Sequence, residues 1–182
     1  MADLILSQMT AAEFAQLPES NTIIELIDGE VIVAPAPVDK HQEAIGNLYF
    51  NLRMLKFPGE WRLAPSDVYL DDLNVVQPDL FWVSDDNPNC HLIDNYWHGA
   101  PDLVIEILSP GTTRRDRDTK YTLYERTGVR EYWIVDAQEL YIEVYALQDE
   151  KFTRQGLYGL GDSFVTSVLN GITLSVDTLL KR

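Results

Sequence analysis

Apolar and polar positions in the middle of the chain follow two different spacings. Residues 102–108 are apolar on both faces except for acids at positions 102 and 106, which predicts a strand inside a covered sheet. Residues 113–127 have helical spacing and end at Gly128, a residue that favours the left-handed cap of a helix. Residues 131–136 predict a second buried strand. A strand, a crossover helix and a strand together predict a parallel or mixed sheet.

The preceding region is predicted to contain one long helix and several strands. Apolar residues and one histidine recur at positions 41, 45, 48, 52 and 55, which places them on one face of a helix over residues 40–57. Two β-rich runs, 61–70 and 75–83, flank a predicted hairpin turn at 71–74. A polar loop is predicted from residue 84 to residue 100.

Smaller elements are predicted near both ends. Thr10 and Glu13 have the spacing of a capping box, which predicts a short helix. Asp28-Gly29 lies between apolar runs at 22–27 and 30–33, as in a type I′ hairpin. Residues 140–147, 151–157 and 172–176 predict further strands, with a turn at 170–171. We interpret the chain as one α/β domain over residues 1–182, built on a mixed sheet.

Composition is typical of an ordinary globular domain. The 182 residues are 46% hydrophobic and 24% charged, which suits one domain with its own core. No segment approaches the roughly 20 consecutive apolar residues of a membrane span, and the N-terminal segment has no basic leader. We therefore expect a cytoplasmic protein that does not enter the membrane. The single cysteine, Cys90, cannot form an internal disulfide.

The formal net charge of -15 argues against a nucleic-acid partner, because phosphate binding usually needs a basic surface. The basic residues are unevenly distributed, however, and a cluster lies on and around the predicted crossover helix. Its members are Arg114, Arg115, Arg117, Lys120, Arg126 and Arg130. This cluster is either a local positive face or a solvated helix with internal ion pairs.

Two acidic residues, Asp79 and Glu106, occupy predicted strand positions at which a covered sheet normally has apolar side chains. Strand alternation places Glu106 on the same face as Val104, and Asp79 follows Pro78 in the preceding β-rich run. An unpaired buried carboxylate costs on the order of several kcal/mol, so it is normally neutralised, paired or bound to metal. Two such carboxylates suit Mg²⁺ or Mn²⁺. A buried ion pair at position 106 and a simple turn at position 79 are the alternative explanations.

A lysine on the crossover helix is the third candidate for chemistry. Arg117, Lys120, Tyr121 and Tyr124 fall on one helical face, so Lys120 is predicted to point inward with the tyrosines. It could neutralise Glu106, or orient a water and stabilise charge in a transition state. Alternatively, its aliphatic stem simply packs along the tyrosine rings.

Several segments resemble the Uma family of proposed endonucleases, formerly a domain of unknown function, which belongs to the PD-(D/E)xK superfamily. They are QPDL at 77–80, PDLVIEILSP at 101–110, the stretch from RRD at 114–116 to EYWIVD at 131–136, ELIDGE at 25–30, and His41. The resemblance covers roughly residues 10–180. It implies a restriction-endonuclease-like core of helix, three strands, helix and strand, with an extra N-terminal hairpin and extra C-terminal strands.

The resemblance also implies roles for individual residues. Asp79 and Glu106 correspond to the acidic motif positions, and with Ile107 they make up the implied Mg²⁺ or Mn²⁺ site. The lysine of the superfamily motif would stand where this chain has Leu108. Its role must therefore pass to Lys120, which completes the implied catalytic set.

Further residues could complete this site. In the wider superfamily an acid from the first core helix contributes, and here Glu43 is the candidate, with Glu25 as a second choice. His41 either faces the site or is a packed or capping residue of the helix. Arg117, on the same helical face as Lys120, is another accessory candidate.

The function predicted from the sequence is metal-dependent hydrolysis of DNA phosphodiester bonds. An alternative is a catalytically inactive module that keeps the nuclease fold and binds or regulates a partner. A third possibility is a nuclease that acts only within a larger assembly. We expect a homodimer, because symmetric dimers are the commonest soluble assemblies.

Overall fold

The computed structural model describes residues 8–18, 22–34, 37–109, 111 and 115–181. The helices in these ranges are α1 (Ala11–Phe14), α2 (Asp39–Met54), α3 (Tyr121–Thr127) and α4 (Val176–Leu180), and a π-helical turn, Arg115–Lys120, leads into α3. The strands are β1 (Ile24–Ile27), β2 (Glu30–Val33), β3 (Gly59–Leu63), β4 (Val68–Asp71), β5 (Asn74–Val76), β6 (Leu80–Ser84), β7 (His91–Ile93), β8 (Tyr96–His98), β9 (Leu103–Ile107), β10 (Glu131–Asp136), β11 (Tyr141–Gln148), β12 (Lys151–Tyr158), β13 (Ser163–Thr166) and β14 (Ile172–Ser175). None of these described helices is long and apolar enough to cross a membrane.

A central sheet of six described strands carries the core. Its order is β12-β11-β10-β9-β6-β3, with β9 and β10 parallel and the other neighbours antiparallel. The π-helical turn and α3 form the crossover between the two parallel strands, as the spacing predicted. The first two residues of the predicted helix, 113 and 114, lie outside the described residues. The order α2, β3, β6, β9, α3, β10 confirms the predicted core of helix, three strands, helix and strand.

The two long β-rich runs predicted at 61–70 and 75–83 are each divided between two sheets. β3 and β6 remain in the central sheet, whereas β4 and β5 join a second sheet of order β2-β1-β5-β4-β8-β7. Pro65 and Pro78 lie at the two breaks, and proline cannot donate a hydrogen bond to a sheet ladder. The chain therefore leaves the central sheet after β3 and returns to it at β6.

The hairpins form where the turn residues can adopt positive φ values. Asp28 and Gly29 have φ values of 52° and 76°, as the predicted type I′ turn between β1 and β2 requires. The prediction of an irregular loop over 84–100 was wrong, because β7 and β8 form a hairpin there. Asp94 and Asn95 occupy its turn with φ values of 49° and 71°. Asn170 at the predicted turn also has a positive φ, and β13, which was not predicted, pairs with β14.

The central sheet is covered on both faces, as the sequence of β9 predicted. On one face, Leu48 of α2 belongs to the same core cluster as Ile105. On the other face, Leu123 of α3 and Val76 of the second sheet pack with Val104. Because side chains alternate along a strand, Glu106 shares the face of Val104. The acid is therefore directed toward α3 and the second sheet.

Candidate functional site

A cavity of about 280 Å³ lies where the central sheet meets the β1–β2 hairpin and the start of α2. The ionisable side chains that line it are Glu25, His41, Asp79, Glu106, Arg115, Asp116 and Lys120. They come from five separate segments of the chain. The predicted acids and the predicted lysine therefore share one cavity.

The pairing of β6 with β9 brings the two predicted acids together. The antiparallel register joins Leu80 to Ile105, and one residue further the same register sets Asp79 beside Glu106. Directly opposed residues in an antiparallel pair project to the same face of the sheet. The cavity contains both carboxylates, which is the arrangement that the sequence predicted.

Asp79 is held by two donors at one of its oxygens. The main-chain N–H of Ile107 donates to Asp79 Oδ2 at 2.7 Å, and His41 Nε2 lies 3.0 Å from the same oxygen. No described residue donates to Oδ1. Ile107 can contribute to the site only through its main chain, because its side chain belongs to the core on the opposite face.

Glu106 is almost completely buried, with 3% of its surface exposed. Lys120 Nζ donates to Oε1 at 2.9 Å, and the Tyr124 hydroxyl donates to the same oxygen at 2.7 Å. Burial raises the pKa of Glu106; Lys120 opposes this shift, while Asp79, Asp116 and Glu25 add to it. The net shift is upward because burial is its largest cause, so the ionised form of Glu106 is disfavoured in the folded protein.

Lys120 lies between two carboxylates. Its Nζ is 2.9 Å from Glu106 Oε1 and 2.9 Å from Glu25 Oε1, and the residue is 5% exposed. Burial lowers the pKa of Lys120, but the charges of Glu106 and Glu25 outweigh burial and raise it overall. The ammonium group therefore remains protonated, and it can donate hydrogen bonds but cannot accept a proton.

Glu25, the second choice for an accessory acid, is part of the cavity. It comes from β1 and is 1% exposed. Besides Lys120, its Oε1 accepts a hydrogen bond from the main-chain N–H of Gln77 at 2.9 Å, and Arg115 lies 3.7 Å from its Oε2. Gln77 is two residues before Asp79, so Glu25 connects Lys120 to the segment that carries Asp79.

His41 lines the cavity from the first turn of α2, 7% exposed. Burial lowers its pKa, but the hydrogen bond and charge of Asp79 raise it overall. Its Nδ1 is buried and has no hydrogen-bond partner in the described part of the chain. Of the two interpretations left open by the sequence, the structure supports the one in which His41 faces the site.

Two of the accessory candidates lie elsewhere. Glu43 is not in the lining of this cavity but lines a different one, formed by α2 and residues 137–140 and 180–181. Arg117 extends toward β11, where its Nη2 is 2.6 Å from Glu143 and 2.9 Å from the Tyr141 hydroxyl. Helical spacing predicted an inward Arg117, but the π-helical turn rotates it away from Lys120.

Three further residues near the predicted site, Asp116, Arg115 and Tyr124, were not predicted from the sequence as site residues. Asp116 is 2% exposed and lines the cavity. Its position four residues before Lys120 was a usable signal, because both residues are buried on one side of the π-helical turn. The i to i+5 hydrogen bonding of such a turn is rare and is often found at functional sites.

The oxygen and nitrogen donors of the cavity determine whether it suits Mg²⁺ or Mn²⁺. No group of three or more His, Cys, Asp or Glu side chains within the described ranges has a metal-binding arrangement. Mg²⁺, however, usually binds through one or two carboxylates and keeps several waters. Asp79 and Glu106 supply two carboxylates that line the same cavity. The residues therefore fit a sparsely ligated, hard divalent ion.

Comparison with known proteins identifies the family. A family model described as “Putative restriction endonuclease” matches residues 11–177. The chain belongs to the Uma2 family. The family membership expected from the sequence is thus confirmed, and the match spans every residue of the cavity.

A solved structure supports the Uma2 fold assignment. It is the crystal structure of “a putative nuclease belonging to DUF820” from Anabaena variabilis ATCC 29413, with a TM-score of 0.70 and 24% sequence identity. The similarity covers 94% of this chain and 97% of that chain. At this identity the likeness establishes the nuclease fold and not a shared activity. A search of curated proteins found no match.

Proposed function

We propose that the protein is a metal-dependent endonuclease that hydrolyses phosphodiester bonds of DNA. The observation that carries this proposal is the buried contact between Lys120 Nζ and Glu106 Oε1, 2.9 Å long, in a cavity that also contains Asp79. Family membership alone would leave open whether Lys120 can take the role of the motif lysine, because Lys120 stands on the crossover helix and not on β9. The contact supports that role, because the ammonium group reaches the motif glutamate from the crossover helix.

The two acids would hold the cation, with Asp79 oriented by its hydrogen bonds from Ile107 and His41. When bound, Mg²⁺ or Mn²⁺ would supply charge stabilisation and a more acidic attacking water. In the hydrolysis, water oxygen bonds to phosphorus and gives up a proton to solvent, the bridging P–O bond breaks, and the leaving oxygen receives a proton. The protein must therefore hold the water and the phosphate next to each other, beside the carboxylates that would bind the cation.

Lys120 would orient the attacking water and stabilise charge on the phosphate oxygens. It remains protonated beside Glu106 and Glu25, so it acts as a hydrogen-bond donor and not as a general base. Glu25 would be a positioning residue, because it binds Lys120 without being placed among the metal ligands. Tyr124 would have a similar positioning role through its hydroxyl bond to Glu106.

A second candidate function is a binding or regulatory module, dimeric in its expected form, that retains the fold without chemistry. Each principal carboxylate already has a charged or hydrogen-bonding partner in the chain. Lys120 pairs with Glu106 and Glu25, and His41 contacts Asp79. Such internal compensation would also stabilise an inactive site, so metal binding must be measured directly.

Metal binding and cleavage should both depend on Asp79. Calorimetry with Mn²⁺ is expected to detect binding to the wild-type protein and to lose it in Asp79→Asn, because one of the two carboxylates becomes neutral. Plasmid nicking in Mg²⁺ or Mn²⁺ should fall by at least about 100-fold, since even partners outside the ligand set contribute 10–100-fold.

Glu43→Gln is the matched control, because this acid lies on α2 but outside the cavity. It should leave calorimetry and nicking unchanged. A well-folded wild-type protein that shows no Mn²⁺ binding would support the non-catalytic module. Nicking that survives Asp79→Asn in clean preparations would contradict the proposed active site.

A further inference from the structure

The described basic side chains are largely neutralised by the protein itself. Every described lysine and arginine except Lys40, Arg53 and Lys56 forms an ion pair with a carboxylate. These three exceptions lie on or beside α2 and do not line the cavity. With a net charge of -15, the described surface therefore lacks an extended basic track for a duplex backbone.

Two of the three proposed reactive groups, Glu106 and Lys120, lie below the surface, whereas the side chain of Asp79 is 18% exposed. Glu106 is 3% exposed and Lys120 is 5% exposed, so a phosphate can contact them only by entering the cavity. A rigid duplex presents its phosphates on the outside of a broad cylinder and keeps its bases stacked inside. The width of that cylinder limits how deeply a duplex phosphate can enter a recess, and insertion of a whole nucleotide from a duplex requires unpairing and unstacking, which costs energy. An unpaired strand avoids most of that cost.

The size and the lining of the cavity suit one nucleotide. Its volume of about 280 Å³ lies just below the roughly 300–1,000 Å³ of typical ligand pockets, so it admits a ligand no larger than about one nucleotide. Its lining combines the charged groups described above with the apolar residues Ile23, Ala34, Pro37, Ile45, Ala64 and Pro65. A nucleotide likewise combines an anionic phosphate with an apolar base face.

We propose that the substrate is single-stranded DNA, or an unpaired stretch within a duplex, from which one nucleotide enters this cavity. This inference rests on the proposed function and specifies its substrate class. The phosphate lies toward Asp79, Glu106 and Lys120, and the base packs against the apolar lining that includes Ala34 and Pro65. Recognition depends on insertion of one nucleotide and little on neutralisation of a long backbone.

The test compares a labelled single strand with the same strand annealed to its complement. Fluorescence anisotropy of the wild-type protein is measured in Ca²⁺, an oxygen-seeking cation, with strand integrity checked on a gel. The single strand should bind at least about tenfold more tightly, the scale of one base contact. Its affinity should fall less than about tenfold between 50 and 200 mM salt, because few phosphates are neutralised.

A cavity-filling variant tests the site of insertion. Ala34→Trp places a large side chain in the apolar lining, and the main-chain hydrogen bond from Ala34 to Ile23 does not involve the side chain. Single-strand affinity should fall by about tenfold. The matched control is Ala12→Trp, at an exposed position of α1 outside the cavity, which should bind like the wild type.

The outcomes separate this inference from the proposed function. Duplex binding as tight as single-strand binding, a steep salt dependence, or equal effects of the two tryptophan variants would each overturn the inference. If Mn²⁺-dependent nicking is still lost in Asp79→Asn, the proposed function stands in all these cases. Selective single-strand binding that depends on Ala34, without cleavage of any strand in Mn²⁺, would support the binding mode and overturn the nuclease function.

Discussion

Glu106→Gln should abolish metal-dependent cleavage while the protein remains folded. The amide can still accept the hydrogen bonds from Lys120 and Tyr124, but it is neutral and a poor ligand for a hard cation. Nicking should fall by at least about 100-fold. The free energy of unfolding should stay within about 1 kcal/mol of wild type, because the amide keeps both hydrogen bonds and because burial, which raises the pKa of Glu106, already disfavours its charged form.

The matched control for this substitution is Glu143→Gln on β11. Glu143 is also buried, at 4% exposure, but its partners are Arg117, Arg154 and the Tyr145 hydroxyl, and it lies outside the cavity. Burial raises the pKa of Glu143, yet the hydrogen bond from Arg117 lowers it overall, so here the charge stabilises the fold. Glu143→Gln should lose stability and keep cleavage. If Glu143→Gln lost cleavage and Glu106→Gln kept it, the assignment of Glu106 as a metal ligand would be contradicted.

The largest effect on stability is expected from Lys120→Met. This substitution leaves Glu106 and Glu25 buried without their shared cation, and such a loss typically costs about 3–5 kcal/mol. Urea denaturation at neutral pH measures the change. Combining Lys120→Met with Glu106→Gln should recover part of the loss, because one of the two uncompensated charges is removed.

The pH dependence of Lys120→Met has a definite sign. The folded-state pKa of Glu106 is raised above the ordinary value of 4.5, so its stabilising contribution is present below that value and is lost as pH rises through the folded pKa. Without the lysine the carboxyl pKa should rise further. The destabilisation should therefore be greatest at alkaline pH and shrink as pH falls toward 5. A penalty that is independent of pH would indicate lost packing instead of unpaired charge.

Glu25 explains why the first hairpin belongs to the site. The hairpin is extra to the core of helix, three strands, helix and strand, yet its acid contacts both Lys120 and the main chain of Gln77. Lys120 does not stand on β9, where the superfamily motif would have it. Under the proposed function, the second carboxylate bound to Lys120 would compensate for the loss of that direct connection to the strand.

Local patterns in the sequence determined much of the core. The apolar run of β9, the helical spacing before Gly128 and the turn at Asp28-Gly29 each depend on residues close in sequence, and all three were predicted correctly. The same periodicity isolated Glu106 and Asp79 as acids in apolar surroundings. Their common face followed from alternation along β6 and β9, which requires only that the two strands pair.

Only the tertiary structure decided how distant segments meet. The β-rich runs were divided between two sheets because pairing partners, and not local propensity, assign a strand to a sheet. The π-helical turn moved Arg117 toward Glu143 and buried Asp116, which ideal helical spacing does not foresee. Glu25 lies 95 positions before Lys120 in the chain and has no local signal for that contact. Burial and charge balance among such distant residues are properties of the assembled fold, so the complete site could not be derived from periodicity alone.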